Sequence, residues 1–590
     1  MNDVVEKIPN IYEYIVAEEN AWRTARVPLA SNWRDWSMYD HIDRSFTLKN
    51  SRFYQGTQDY RRPFNNIILP IANVNYRTEG FDVKDVQIYV DNAENYHKSF
   101  FARKFHNWWA KENDIDTAID ESVESYFDYG LALLKNVNSA RPEVVPLQQI
   151  AFCDQTDIMA GPICIKHHYS VSELLEMKGK WNAAEIDKTI LMARFAKPTI
   201  EGDTTKTPGK YVEVYELHGM FPESWLGAEK LGSEWEDTGK YSPQVHIVTY
   251  YVNENEQNKN GICLFKGKEP KPIFKALVRD PIFGRACGRG GIEELFHPQI
   301  WTNYSELQIS QMLEAVSKVI LKTNKKKITA LNNFSNMKTG QIVDLDGDGT
   351  LEQLVLQPYN KGAFDNFVNK WEQTARIIGS ASDPALGLNP VSGTPLGTTE
   401  IVTQQGIGIH EYRQGKIATF WAEVYRDWVL PHLSKEINKG SKWLDELSLA
   451  ELQDVAEKIT TKQSNDKIKE MVLNGELPAQ EEIDQFRITL KEVFMKGGNK
   501  RFLEIIKDEF AGLPTDVEIS IKGKQKNLAE VTSKLNSVFR TLLTPGVIQA
   551  VQQSEGLSDL LNQIFESVGF SPVNFGTITG QQMQQLPVTA

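Results

Sequence analysis

Apolar side chains recur at three- and four-residue spacing through Leu295, Ile300, Tyr304, Leu307, Met312, Val316, Val319 and Ile320. This predicts an amphipathic helix of about 30 residues, a rod of about 45 Å if unbroken. Pro298 falls in its first turn or just before it. The period then changes: KKITALNNF and GQIVDLDGDGTLEQLVLQP read as short strands joined by Asn- and Gly-containing turns. Helical spacing returns at Phe364, Phe367, Val368, Trp371, Ala375 and Ile378. SDPALGLNPVSGTPLGTTE, with three prolines, three glycines and only Asp383 charged before Glu400, reads as a loop. From Thr398 to about Leu430 a long helix follows, with Ile417, Phe420, Trp421, Val424, Tyr425 and Trp428 as its apolar stripe. Gly406, Gly408 and Gly415 each cost it roughly 1 kcal/mol and predict a kink or very close neighbours. A chain that leaves its body on one helix and returns on another builds a protruding stalk with a small β cap, a shape suited to assembly.

The rest of the chain reads as a mixed α+β body. Aromatics at Trp22, Trp33, Trp36, Tyr39, Phe53 and Tyr54 are taken as packing or subunit contacts rather than ligand stacking. Two helices follow Tyr96, carried by Phe101, Phe105, Trp108 and Trp109, then Ile115, Ile119, Val123 and Tyr126. Gly130 permits a sharp turn or a close helix contact before LALLKNV, a strand. VVPLQQIAF, GPICIKHHYS, YVEVYELHGMF and QVHIVTYYV read as strands, KGK at 266–268 as a hairpin turn, and SVSELLEM as a serine-capped helix. Residues 436–525 are charged and helical and end in the strand VEISIKG; two or three short amphipathic helices and a polar tail follow.

At 590 residues, two to four compact regions are expected. With 41% hydrophobic and 24% charged residues the composition is that of a soluble globular protein, and no run approaches a membrane span. The opening residues carry no basic segment followed by an apolar one, so cytosolic synthesis is expected. A net charge of −13 argues against a wide basic surface that grips nucleic acid. It is compatible with a wall past which DNA slides.

No motif announces an enzyme. Cys153, Cys164, Cys263 and Cys287 have no CxxC spacing and are expected as free thiols. Gly284, Gly288, Gly290 and Gly291 fit neither dinucleotide nor P-loop spacing and read as a turn feeding the helix. His410-Glu411 lacks the second histidine of HExxH, and His167-His168 stands in a strand, where neighbours point to opposite faces; both are taken as structural, and no metal ligand or cofactor is assigned. Asp344, Asp346, Asp348 and Gly349 match the start of an EF-hand loop, but Val355 occupies the position of the bidentate glutamate. A solvated turn is expected there, with adventitious divalent-ion binding the alternative. Lys322, Lys325, Lys326 and Lys327 are either a solvated helix end or a docking surface for phosphate or an acidic partner.

In this order of parts the chain resembles the portal proteins of tailed bacteriophages. GRACGRGGIEELFHPQIWTNYSEL resembles the entry to a portal's first stem helix, the β-rich insert resembles the clip, and IIGSASDPALGLNPVSGTPLGTTEIVTQQG resembles the second stem helix, tunnel loop and following helix. The resemblance implies a portal-like α+β fold: a wing over 1–290, a first stem helix over 291–322, a clip over 323–360 and a second stem helix over 361–380. A tunnel loop over 381–398, a long kinked helix with the remainder of the wing over 399–526, and a crown of helices with a polar tail over 527–590 complete it, too short for a long barrel.

It further implies a non-enzymatic homo-oligomeric ring, usually of twelve, at one capsid vertex of the virion, assembled in the host cytoplasm. Through it double-stranded DNA passes without sequence specificity. Its partners would be the terminase large subunit, the major capsid protein and scaffold, and a head-tail adaptor, with no cofactor. Leu386, Asn389, Pro390, Ser392, Thr394 and Thr398 would line the DNA channel. Segment 384–399 holds no Lys or Arg, as suits a surface that must not bind phosphate. Lys322, Lys325, Lys326 and Lys327 with Asp344, Asp346 and Asp348 would dock the motor or connector. The alternatives are another capsid or connector component, or a large hydrolase or nuclease whose carboxylate site is invisible without a fold.

Overall fold

A computed structural model of the chain describes residues 11–27, 35–51, 64–90, 98–195, 211–227, 240–253, 259–317, 320–324, 350–354, 361–381, 386, 396–439, 441–446, 464, 467–468, 471, 480–496, 500–505 and 515–519. The fold is mixed α+β. It divides into two units, one formed by residues 1–82 and 114–424, the other by 83–113 and 425–590.

In the first unit, helices α1 (Ile11–Thr24), α2 (Met38–Asn50), α3 (Ile68–Glu79) and α4 (Ile115–Tyr129) precede strands β1 (Leu131–Lys135), β2 (Glu143–Val144), β3 (Ile150–Phe152) and β4 (Ile163–Ser170). Helices α5 (Val171–Glu176) and α6 (Ala183–Phe195) lead to β5 (Tyr211–Pro222), β6 (Tyr241–Asn253), β7 (Lys259–Lys268) and β8 (Phe274–Val278). Strands β3 to β7 form one antiparallel sheet in chain order, and β2-β1-β8 a second. Ser170 begins α5 with a capping box: its Oγ accepts from Glu173 N, and Glu173 Oε2 accepts from Ser170 N. The expected turn at 266–268 is instead the end of β7, where Gly267 stands opposite His246. The β-branched and aromatic residues of β6 continue the ladder past the point where glycine suggested a reversal.

Two apolar cores flank the larger sheet. One gathers Ile11, Ile15, Trp22, Phe152, Ile165, Leu217 and Ile247; the other lies under α5 and α6 with Leu174, Ile186, Val214 and Tyr250. A third joins Ile68, Ile71 and Phe127 to Ile292, Leu295, Ala375 and Ala381. Gly130 ends α4 at φ +75°, and a Cβ there would stand 2.4 Å from Gly288 O, so the glycine serves both the turn and the close approach. The Gly288–Gly291 run is therefore a packed turn feeding α7 (Gly291–Glu294) and α8 (Phe296–Ser317).

The excursion follows: α8, β9 (Ile320–Thr323), β10 (Leu351–Leu354) and α9 (Lys361–Ile378), with β9 and β10 paired antiparallel. The first helix stops at Ser317, short of the expected 322. Ile320 and Thr323 are β-branched and enter a strand, a distinction that helical spacing alone does not make for a short apolar run. Helix α10 covers Leu396–Val424.

In the second unit, Val86–Val90 pairs antiparallel with Thr515–Ile519, and Ser441–Glu446 with Lys500–Ile505. The helix Lys98–Glu112 packs on the first ribbon, and a helix spans Gln480–Lys496. A π turn at Tyr425–Val429 precedes the helix Leu430–Asn438. Pro431 supplies no N–H and crowds the carbonyl four residues back, which the wider turn relieves. At Gly415 the backbone is regular helix, and a Cβ would meet nothing within 4 Å.

Candidate functional site

The helix pair α8–α9 is fixed to the segment before α3. Gln299 of α8 is buried and holds the segment before α3: its Oε1 accepts from Ile67 N at 2.9 Å and its Nε2 donates to Asn65 O at 2.6 Å. Asn65 N donates to Asn303 Oδ1 at 3.1 Å, and Asn65 Nδ2 to Glu372 Oε1 of α9 at 3.0 Å. Asn66 Oδ1 then receives the N–H groups of Ile68 and Leu69 and caps α3. One asparagine pair thereby ties both helices to the body. At the same level of the pair, Trp301 packs with Phe367 and Trp371.

Over residues 299–305 of α8 the usual polarity of a helix is inverted. Gln299, Thr302, Asn303 and Ser305 are buried, whereas Ile300, Trp301, Tyr304 and Leu313 are exposed. On α9, Phe367 and Ile378 are exposed and Ile377 is 79% exposed. Large apolar residues thus stand on the outside of the helix pair.

Of the residues singled out in the sequence, Leu386 is half-buried against the core of Ile68, Ile71 and Ala375. Thr398 lies in the first turn of α10, and Lys322 on β9 opposite Glu352. Lys325, Lys326, Lys327, Asp344, Asp346, Asp348, Asn389, Pro390, Ser392 and Thr394 lie outside the described residues, as does segment 527–590.

Two buried polar clusters escaped the sequence reading. His410 and Arg413 of α10 meet Glu79 at the end of α3, which is fully buried: His410 Nδ1 lies 3.1 Å and Arg413 Nη1 3.4 Å from Glu79 Oε1. Arg413 Nη2 also reaches Asp280 Oδ2 at 3.0 Å, and His410 Nε2 lies 3.0 Å from Ser380 O.

The second cluster stands where the small sheet covers the larger one. Glu216 and His218 share a face of β5, and His218 stands opposite His246 on β6. Glu216 Oε2 receives Lys135 Nζ at 2.9 Å and His167 Nε2 at 2.6 Å. Its Oε1 lies 2.7 Å from His218 Nε2 and 3.1 Å from His246 Nε2. Burial alone would push the Glu216 carboxyl up, but the Lys135 ammonium and the three imidazoles hold it well below the usual carboxylate range. Burial pushes His218 down to about 4, so this ring is neutral at pH 7. The signal lay in the Glu-x-His spacing of β5, which puts both groups on one face; their partners come from β1, β4 and β6.

No family model matches the chain. No curated protein matches it either. Among solved structures, a chain described as "Virion of native gene transfer agent (GTA) particle" is similar at 7% sequence identity and a TM-score of 0.32, over 95% of this chain and 100% of that chain.

Proposed function

We propose that this chain is a structural subunit of a phage-like virion, and within that class a portal protein: a ring at one capsid vertex through which DNA is packaged and released. The observation that carries the reading is the helix pair with an apolar outer face. Its root is fixed by buried hydrogen bonds through Gln299, Asn65 and Asn303, and its outer face bears Ile300, Trp301, Tyr304 and Ile377. A closed ring of identical copies buries such a face on every subunit without leaving an open edge.

In this reading α8 and α9 are the stem, the β9–β10 pair belongs to the clip, and segment 384–399, free of Lys and Arg, faces moving DNA. Lys322, Lys325, Lys326 and Lys327 dock the packaging motor and later the connector. The role is mechanical, and neither a catalytic residue nor a cofactor is assigned to it. The test is packaging by rings carrying Lys325→Glu, Lys326→Glu and Lys327→Glu: intact rings with impaired packaging are expected. Normal packaging would remove the docking assignment, and failure of the unaltered chain to form rings would remove the portal reading itself.

A further inference from the structure

His246 is held in a way that hydrogen bonding alone leaves incomplete. Its Nδ1 lies 3.0 Å from Glu269 Oε1, and an ionised carboxylate only accepts, so Nδ1 carries a proton. Its Nε2 is buried 3.1 Å from Glu216 Oε1, close enough to pair with the carboxylate but off the line that a well-formed N–H···O hydrogen bond requires. A buried polar atom without a partner costs about 1–3 kcal/mol.

The neighbouring ring points to the same place. His218 Nε2 approaches the same oxygen, and the two imidazoles stack with centroids 4.2 Å apart. Glu216 Oε1, His218 Nε2 and His246 Nε2 all lie within 4.8 Å of one another. Lys135 and His167 occupy the other carboxylate oxygen, leaving Oε1 to bind singly.

We propose that this triangle binds a first-row divalent cation, best served by Zn2+, with Glu216, His218 and His246 as ligands and Glu269 as the outer carboxylate that orients the His246 ring. Zinc bonds to imidazole nitrogen and carboxylate oxygen are about 2.0–2.2 Å, which separates tetrahedral ligand atoms by about 3.3–3.5 Å. The 3.1 Å side of the triangle would therefore open by about 0.2–0.4 Å on binding and the 2.7 Å side by about 0.6–0.8 Å, a shift of side-chain rather than backbone size.

Charge agrees with geometry. Glu216 and Glu269 bring two carboxylates to the His246 ring, while the Lys135 ammonium is shared between Glu216 at 2.9 Å and Glu143 at 3.1 Å. A bound cation would take the Nε2 lone pair of a neutral His246 ring, in place of the poorly aligned contact with Glu216 Oε1. Two imidazoles with one carboxylate suit Zn2+, Co2+ or Ni2+ better than Mg2+ or Ca2+. Glu269 paired to the far nitrogen of a ligating histidine is the outer partner that such sites employ. The ion would pin β5 to β6 beneath Lys135 and Phe274 of the smaller sheet, a structural role separate from the helix pair.

The test uses the untagged full-length chain. Metal content is measured after purification, and the metal-depleted protein is titrated with Co2+ and then Zn2+. The expected results are near-stoichiometric zinc, visible Co2+ absorption displaced by Zn2+, and a melting temperature that rises with Zn2+ and falls with chelator. His246→Gln should lose the bands, and Glu269→Gln should weaken binding by about 10- to 100-fold. Folded wild-type protein that gives no Co2+ bands and no Zn2+-dependent melting shift overturns the proposal whatever the variants do. So does a folded His246→Gln variant that binds as wild type.

Discussion

Trp301 and Trp371 lie nearly parallel across the helix pair, 9° apart in plane with ring centroids 6.4 Å apart. Trp301 is held from one helix to the next yet remains exposed. The aromatic joint that unites α8 and α9 is thus also part of the face they present outward. In the proposed ring, the same residues that join the two helices would be buried against another copy.

The outward face should be separable from stability. Ile300→Glu with Tyr304→Glu alters exposed positions, where changes stay within about 0.5 kcal/mol. The double variant is expected to melt like wild type while its assembly is strongly weakened, as sedimentation velocity would report. Unchanged assembly would mean that this face is not the interface.

The root behaves in the opposite way. Gln299→Ala leaves Ile67 N and Asn65 O without their partner, at about 1–3 kcal/mol. Denaturant unfolding should show a lowered midpoint, and protease should cut more readily near the pair.

Two glycines should give opposite signs. Gly130→Ala forces a side chain into φ +75° and against Gly288 O, so a loss of about 2 kcal/mol or more is expected. Gly415→Ala adds a methyl to open space within a helix and should stabilise by about 1 kcal/mol. Thermal melts of the two variants beside wild type read both effects.

Acid should act through His106. Burial pushes this ring, which lies 3.1 Å from Tyr425 Oη, down to about 4. Between that value and the ordinary one near 6.5, the unfolded chain binds a proton that the folded chain does not. The contribution is therefore complete above about pH 6.5 and is lost as pH falls towards 4, by about 3 kcal/mol in all. His106→Phe should flatten this part of the stability profile relative to wild type; parallel profiles would contradict the assignment.

Much of the fold was legible because its elements carry their own period. The helices about Phe105 and Val123, the strand after Gly130 and the returning helix with Trp371 follow from spacing alone. Which face of α8 turns inward was not legible: Ile300 and Tyr304 look like a buried stripe, but the body claims Gln299 and Asn303 through backbone groups about 230 positions away. Hydrophobic periodicity finds an apolar face without saying what covers it. The His218–His246 cluster was hidden for a related reason. Its groups meet through antiparallel register across β4, β5 and β6 and through Lys135 of another sheet, pairings no local spacing encodes. The π turn at Tyr425 was not anticipated, because the glycines of the long helix were weighed and Pro431 was not.

The central claim is assembly into a closed ring, and the most direct measurement is the mass of the purified full-length particle, with negative-stain images of the same sample. The account predicts rings with an open channel and a narrow mass distribution near twelve times that of one chain. A uniform monomer or dimer that persists at high concentration and with scaffold present would contradict it.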